Sequence, residues 1–431
     1  MRQLQGNAYQ IPLTRCILYR TVRRNDHARR VLRTQAKWQK ATNKNDKNFK
    51  PVSIVTDHIQ TIVLILCYLF HPHFPHIMYV KIPVLGFICC LQLLTAGQIA
   101  AQTAIASAPP PPAQKIEILA SGTHTSLRGL SVVSDKIIWV SGSSGQVGRS
   151  LDSGKTWQWI TVPGYEKRDF RDIEAFDAKT AIIMAIAEPA DILKTTDGGK
   201  TWKLVYENTT PGMFLDAMEF WNINSGIVLG DPINGRFFVA RSFDGGNSWH
   251  DIPTRELPEA DSGEACFASS GTNVRNLDRD EACFVSGGLR SRIFIRDNKI
   301  DLPLVQGSQS TGANSVAIKD YNKLKGGQHI IVVGGDFSHD TSRQKNCAIT
   351  HDGGKTWISP ATSPHGYRSC VEFIGKDRIL CCGTSGVDIS MDDGMNWQLI
   401  SGTGFHVCRK AKNGKAVFLA GSGGRIARLA L

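Results

Sequence analysis

The sequence contains 11 cysteines in 431 residues but has no Cys-x-x-Cys pair and no spacing of cysteine and histidine that suggests zinc ligands. This arrangement gives no indication of a structural zinc site. The part of the chain after residue 113 holds an odd number of cysteines, most of them in short apolar runs where cysteine is usually a small buried residue. We therefore expect no disulfide framework, with a single Cys266–Cys283 bond as the alternative.

A basic surface is also lacking over most of the chain. The formal net charge is +12, but 14 of the 50 Lys and Arg residues and only three of the 38 Asp and Glu residues lie in residues 1–101. The remainder is nearly neutral and lacks the positive field that a phosphate backbone attracts. We expect no nucleic-acid partner.

The pattern of residues 1–114 indicates a leader and a linker rather than a folded domain. Residues 78–101 have the pattern of a secretory signal peptide, with Lys81, an apolar stretch at 82–94 and small residues before a cleavage point after Ala101. Residues 1–77 form a basic extension, interpreted as an over-extended gene start or, alternatively, as a tail that makes the segment a membrane anchor. Residues 102–114 form a proline-rich linker. We expect export to the periplasm or the extracellular space.

A nucleotide site is not indicated either. The glycine-rich stretch Gly142-Ser-Ser-Gly145-Gln-Val-Gly148 joins two apolar runs of strand type and opens no helix. Without a helix N-terminus there is no site for a pyrophosphate. We expect no cofactor and no metal ion.

What the sequence does contain is a repeated turn motif, Ser/Thr-x-Asp-x-Gly-x-Thr-Trp, known as the Asp-box. It predicts a hairpin turn in which the carboxylate accepts backbone hydrogen bonds, the glycine supplies a positive φ and the tryptophan packs between sheets. This structural interpretation takes precedence over a catalytic one. The residues concerned are Asp152 and Trp157, Asp197 and Trp202, Asp244 and Trp249, Asp352 and Trp357, and Asp392 and Trp397.

The spacing of the boxes predicts a propeller. Successive box aspartates are 45, 47, 108 and 40 residues apart, so the long gap equals two repeats and should hold a blade without a box. An apolar strand–glycine–strand segment occurs seven times, and each copy follows a further strand by about ten residues. Repeats of this length with four strands are typical of propeller blades. We predict an all-β, seven-bladed β-propeller over residues 115–431, with residues 115–119 supplying the closing strand.

This layout resembles the photosystem II stability/assembly factor family of Asp-box propellers. The resemblance rests on the seven repeats and on the motif Arg-Ser/Thr-x-Asp-x-Gly-x-Thr-Trp, and it covers nearly all of residues 115–431. It implies a non-catalytic, monomeric binding propeller that assists the assembly of a membrane or envelope protein. Asp-boxes also occur in sialidases, sortilin-type receptors and xyloglucanases, so the fold transfers better than the partner does.

The strand that should line the channel in each blade carries many charges. Four arginines from four blades predict a mouth that binds an anion or a peptide carboxylate. Arg–Glu and Arg–Asp pairs that hold the blades together are an equally open interpretation, and the two are compatible. The candidate residues are Arg128, Arg171, Asp172, Asp216, Glu264, Arg368, His406 and Arg409.

The enzyme alternative is a sialidase-like or other glycoside hydrolase acting on acidic glycans. Such an enzyme needs an arginine triad, a Tyr–Glu pair and an acidic residue, for which Tyr165, Tyr367 and Asp172 are available. The Phe/Tyr-Arg-Ile-Pro strand of sialidases is absent, and residues 127–130 read Leu-Arg-Gly-Leu in its place. We therefore predict no catalytic residues, and the glycosidase hypothesis predicts a Tyr–Glu contact beneath the arginines.

Overall fold

The computed structural model describes residues 114–278, 281–320 and 326–430. The expected extension and signal peptide lie outside these residues, as does nearly all of the linker. Within the described ranges the regular elements are strands and two short 3-10 turns, at Thr254–Glu256 and Ser422–Gly424. No helix in this part of the chain is long and apolar enough to span a membrane.

The strands are short and follow one another at the spacing that the repeats predict. In chain order they are β1 Lys115–Ala120, β2 Leu127–Val132, β3 Ile138–Gly142, β4 Gln146–Ser150, β5 Gln158–Thr161, β6 Phe170–Ala175, β7 Ala181–Ala185, β8 Ala190–Thr195, β9 Lys203–Asn208, β10 Leu215–Phe220, β11 Gly226–Ile233, β12 Arg236–Ser242, β13 His250–Asp251, β14 Glu264–Ala265, β15 Val274–Asn276, β16 Ala282–Gly288, β17 Arg292–Ile295, β18 Asn298–Asp301, β19 Thr311–Ile318, β20 Ile330–Asp336, β21 Cys347–Thr350, β22 Cys370–Phe373, β23 Ile379–Gly383, β24 Gly386–Ser390, β25 Trp397–Ser401, β26 Val407–Lys410, β27 Val417–Ala420 and β28 Ile426–Ala430.

These strands form seven antiparallel blades. Five blades are separate four-stranded sheets, in the orders β2-β3-β4-β5, β6-β7-β8-β9, β10-β11-β12-β13, β22-β23-β24-β25 and β26-β27-β28-β1. The fourth blade (β14 and β15 on β16, then β17 and β18) and the fifth (β19-β20-β21) are joined by one backbone pair, Gly287 with Gly312. The blade without a box is present, and the predicted seven-bladed propeller is confirmed.

The innermost strands form a closed ring. In the order β2, β6, β10, β15, β19, β22 and β26, each contacts the next, and β26 contacts β2. The closing strand is where the sequence predicts it, because β1 pairs with β28 from Lys115 opposite Ala430 to Ala120 opposite Ile426. The first and last strands of the domain thus share one sheet, in which β1 covers β28 and completes the four-stranded blade.

The Asp-boxes use their carboxylates within their own turns. Asp152 Oδ1 accepts a hydrogen bond from the Thr156 backbone N–H (2.9 Å), and Oδ2 accepts one from the Thr156 hydroxyl (2.6 Å). These bonds lower the pKa of Asp152 to about 2. The same two-oxygen arrangement recurs at Asp197, Asp244, Asp352 and Asp392.

The box tryptophans join neighbouring blades. Trp202 of the second blade packs against a cluster that includes Trp139 of the first, and Trp397 of the sixth packs against Ile331 and Ile349 of the fifth. Trp157, Trp249 and Trp357 pack in the same way against the blade that precedes their own. Because each large ring buries apolar surface between two sheets, the repeat also sets the contact between repeats.

Candidate functional site

Side chains of the inner strands bind the backbone of the next blade. Ser131 Oγ accepts a hydrogen bond from the Ala175 N–H (3.0 Å), and Ser315 Oγ accepts one from the Val371 N–H (3.0 Å). Asp172 Oδ2 accepts one from the Met218 N–H (2.7 Å). These contacts fix the inner strands relative to one another, so the residues that line the channel are held by the ring as a whole.

A β-bulge near the start of several inner strands places one extra residue at the channel. The register shifts between Leu127 and Gly129 in β2, and comparable shifts occur in β6, β10 and β19. The extra residue is left out of the ladder pairing. These residues are Arg128, Arg171, Asp216 and Asn314.

Residues 267–273, between β14 and β15, form a plug that crosses the channel. The Ser270 hydroxyl donates to the Ser369 carbonyl of the sixth blade (2.7 Å), and the Thr272 hydroxyl donates to Ser315 Oγ of the fifth (2.6 Å). The guanidinium groups of Arg128 and Arg409, in the first and seventh blades, donate to plug carbonyls. Glu264 was expected on the strand that lines the channel in its blade, but the strand that carries it, Glu264–Ala265, is only two residues long and ends before the plug, and β15 takes the inner position instead.

Gly271 is the residue on which the plug turns. Its φ is +63°, and a Cβ placed there would lie 2.3 Å from the Asp172 carboxyl group. A side chain would therefore meet both an unfavourable backbone conformation and a buried acid. The close approach of Gly271 to Asp172 lets the plug reach across from the fourth blade to the second.

Residues from all seven blades line an open cavity of about 720 Å³ beyond the plug, where the inner strands end. We call this cavity the basin. Its volume is within the range of clefts that enclose drug-sized ligands. Its charged lining residues are Glu174, Glu219, Arg275, Lys319, Glu372, Lys376, Arg409, Lys410 and Lys412.

The basin wall contains ion pairs between blades. Arg275 of the fourth blade lies 3.1 Å from Glu219 of the third and 3.1 Å from Glu372 of the sixth, so one guanidinium bridges two carboxylates. Lys412 pairs with Glu174 of the second blade. Burial raises the pKa of Glu372, while the positive charges of Arg275 and Arg409 act against that rise. The lining side chains comprise six cations and three carboxylates, and one of the cations, Lys319, is also paired with Asp377 and Asp393.

Three of the eight predicted channel residues meet at the other mouth, where the inner strands begin. Burial, together with the nearby positive charges of Arg128, Arg171 and Arg425, lowers the pKa of His406 to about 3. Burial and the charge of Arg171 also lower the pKa of Arg128. Arg171 pairs with Asp169 (2.8 Å). The mouth is therefore positively charged, and Arg425 is a member that sequence analysis missed.

Four others are buried within or between blades. Arg368 is fully buried and pairs with Asp388 of its own blade, and Glu264 is held by Arg292 and by the Ser286 hydroxyl. Burial raises the pKa of Asp172 to about 8 and raises that of Asp216 well above its usual value. The eighth residue, Arg409, lines the basin. The expectation that Arg128, Arg171, Arg368 and Arg409 share one mouth is wrong, because blade geometry sends them to three different places.

The residues that sequence analysis missed are mostly on the basin side. Arg275 and Lys412 form its ion pairs between blades. Neither lies in an apolar strand segment of the kind from which the candidate channel residues were chosen. Arg275 lies on β15, whose position depends on the plug that precedes it. Glu174, Glu219 and Glu372 are visible in the sequence as charged residues further along the inner strands.

The contacts expected of a sialidase-like site are not made by Tyr367. Its hydroxyl donates to Asn314 Oδ1 (2.8 Å) and lies 3.2 Å from the Ser269 hydroxyl, so its hydrogen bonds go to the fifth blade and to the plug rather than to a glutamate. Tyr165 lies beside Arg168 and Asp191. The seven cysteines of the described part of the chain are buried free thiols, and Cys266 and Cys283 are not bonded to each other.

One group of potential metal ligands is brought together by the fold. His329, His351 and Asp393 lie at the junction of the fifth and sixth blades, with one ligand atom from each within 4.8 Å of the others. They come from three separate loops, which is why no ligand spacing was visible in the sequence.

No family model matches the sequence, and no curated protein matches it. Solved structures do match. "YCF48 bound to D1 peptide" gives a TM-score of 0.51 at 15% identity, covering 75% of this chain and 100% of that one. YCF48 from Cyanidioschyzon merolae gives 0.50 at 15% identity (74% and 98% covered), and U3-55K gives 0.51 at 14% identity (74% and 98%). At these identities the likeness shows the propeller fold alone.

Proposed function

We propose that this chain is a binding propeller that holds a peptide segment of a protein partner in the basin. The observation that carries the proposal is the basin itself, an open cavity of about 720 Å³ lined from all seven blades with an excess of cations. The plug, whose Gly271 carbonyl accepts a hydrogen bond from the lining residue Arg409, would close the inner end of the basin, so that a ligand would enter and leave on one side. A cavity open on one side can hold the end of a partner's polypeptide chain better than an internal segment, which would have to pass through the channel.

The lining favours an acidic segment or a free C-terminal carboxylate. Arg409 keeps guanidinium N–H groups for a ligand, since only its Nη2 donates a hydrogen bond, to the Gly271 carbonyl (3.1 Å), and its Nη1 lies 3.9 Å from Glu372. A guanidinium with unused N–H groups binds a carboxylate through two parallel hydrogen bonds. The paired Arg275, Glu219 and Glu372 would supply donors and acceptors for the peptide backbone beside it.

Two likenesses support a protein partner. The repeat layout resembles the photosystem II assembly factors, and the similar fold of YCF48 has been solved with a D1 peptide. For this chain we propose an escort role towards a membrane or envelope protein after export. The partner would be recognised by its acidic or C-terminal segment.

The test uses the full chain and synthetic peptides in matched pairs, with a free or an amidated C-terminus and with Asp/Glu or Asn/Gln side chains. Fluorescence anisotropy should show tighter binding to the free or acidic member, and Arg409→Gln should weaken it by about tenfold or more. Arg255→Gln, which removes an exposed arginine that does not line the basin, should leave binding unchanged. Equal binding to both members of every pair would overturn the proposal. Turnover of a fluorogenic sialoside, lost in Arg409→Gln, would support the glycosidase instead.

A further inference from the structure

The three potential ligands at the junction of the fifth and sixth blades come from different turns. His329 precedes β20, His351 follows β21 in the fifth blade's Asp-box, and Asp393 lies in the Asp-box turn of the sixth blade. One ligand atom from each lies within 4.8 Å of the others. Ligand atoms at this spacing need only small side-chain rotations to contact one ion at about 2 Å, the distance that zinc prefers.

The His329 ring is held in place and has a nitrogen to spare. It packs edge-on against His351 (4.3 Å between ring centroids) and against Phe373 (5.7 Å). Its Nε2 is buried without a hydrogen-bond partner in the described part of the chain, while Nδ1 lies 3.5 Å from Asp393 Oδ2. An imidazole nitrogen without a hydrogen-bond partner is free to bind a metal ion.

Asp393 is not the residue that its turn favours. Its φ is +65°, and the corresponding position is glycine in three of the other four boxes, namely Gly198, Gly245 and Gly353. Aspartate tolerates this conformation at a higher free energy than glycine does. The turn itself therefore does not require the carboxylate, which instead faces the two imidazoles.

Lys319 pairs with the carboxylate of this ligand group. Its ammonium lies 2.9 Å from both oxygens of Asp393 and 2.9 Å from Asp377. The ammonium therefore competes with a metal cation for the Asp393 oxygens. Lys319 lines the basin, so this group lies at the basin's margin.

We propose that His329, His351 and Asp393 bind one divalent transition-metal ion of the Zn²⁺ class. Two imidazoles and a carboxylate form a borderline ligand set suited to Zn²⁺, and Cu²⁺ and Ni²⁺ bind sets of this kind as well. The exposed His351 gives an ion access from solvent. Three protein ligands leave a fourth position open, which water or a group of a bound partner can fill.

The first test is calorimetric titration of the full chain with Zn²⁺. We expect a site of one ion per chain whose affinity falls by about 10–100-fold or more in His351→Ala and in Asp393→Gly. Neither change threatens folding, because His351 is exposed and glycine fits the φ of Asp393. His250→Ala, which removes an exposed histidine of β13, is the matched control and should leave the affinity unchanged.

A second variant separates a ligand role from a structural one. Lys319→Met removes the competing ammonium and should tighten Zn²⁺ binding by about tenfold. Zinc binding that is absent in the wild type, or that is equal in the wild type, His351→Ala and Asp393→Gly, would overturn the site. Binding that is no tighter in Lys319→Met would remove Asp393 from the ligand set. None of these outcomes depends on the peptide titrations of the basin.

Discussion

Arg368 and Asp388 form an ion pair inside the sixth blade in which neither side chain is exposed to solvent. Arg368 Nε donates to Asp388 Oδ2 (2.7 Å), and the remaining guanidinium N–H groups reach the Tyr367 carbonyl and the Ser385 hydroxyl. The other oxygen, Asp388 Oδ1, lies 2.6 Å from His365 Nδ1. The pair is therefore fully satisfied within the blade and is not available to a ligand.

Substitution of Arg368 by methionine should lower the free energy of unfolding by about 3–5 kcal/mol, because it leaves Asp388 buried without its counter-charge. Urea denaturation of the full chain measures the change. The control is Arg255→Met, which removes an arginine from an exposed pair with Glu256 and should change the free energy by no more than about 0.5 kcal/mol. Similar losses in both variants would show that Arg368 has no special structural role.

Gly271→Ala should destabilise the protein more than a substitution at an open glycine. A Cβ at Gly271 meets the Asp172 carboxyl group and a φ of +63°, whereas at Gly212 it meets a φ of +80° but no atom within 4 Å. We expect a loss of about 3 kcal/mol at Gly271 and about 1 kcal/mol at Gly212 in urea denaturation. If the two losses are equal, the plug does not press against Asp172.

The free energy of unfolding should fall as the pH rises from about 4 towards 8. Burial raises the pKa of Asp231 to about 6 and that of Asp172 to about 8, so the folded protein keeps protons that the unfolded chain has already lost. Asp231→Asn should remove up to about 3 kcal/mol of this fall, since it cannot ionise. The Asp231 oxygen that accepts from the Cys266 N–H is retained by asparagine.

The measurement is urea denaturation of the wild type and Asp231→Asn at several pH values across that window. The Asp-box carboxylates, with lowered pKa values, act in the opposite direction and only below about pH 4, where their protonation destabilises the fold. Parallel pH profiles for the two proteins would mean that Asp231 ionises normally in the folded state.

Removal of β1 should open the seventh blade. We expect a chain that begins at residue 122 to melt at a lower temperature than one that begins at residue 114, because β28 loses its partner strand and Ile116 and Leu119 no longer cover the core. The exposed edge should also promote self-association. Differential scanning calorimetry and light scattering measure the two effects, and identical melting of both chains would show that closure by β1 contributes little.

The positions of the channel residues show how far the pattern of apolar residues in a strand predicts where its other side chains lie. Arg128 and Arg171 were expected at a channel mouth, and they lie there because each is the extra residue of a bulge in its inner strand. Asp216 occupies the same bulge position in β10 and is nevertheless buried, next to Asp231 and the plug. A bulge is not visible in the spacing of apolar residues, and what covers its extra residue depends on a loop from another blade.

The sequence by itself determined the number of blades, the strand order within each and the place of the closing strand. It could do so because box turns, glycines and apolar strands are local signals that repeat with a fixed period. Only the tertiary structure decided that residues 267–273 block the channel, that Arg368 turns into its own blade while Arg409 lines the basin, and that His329, His351 and Asp393 meet. Those relationships join residues from different blades or follow an irregular loop, and their free energies depend on burial and charge that exist only once the ring has closed.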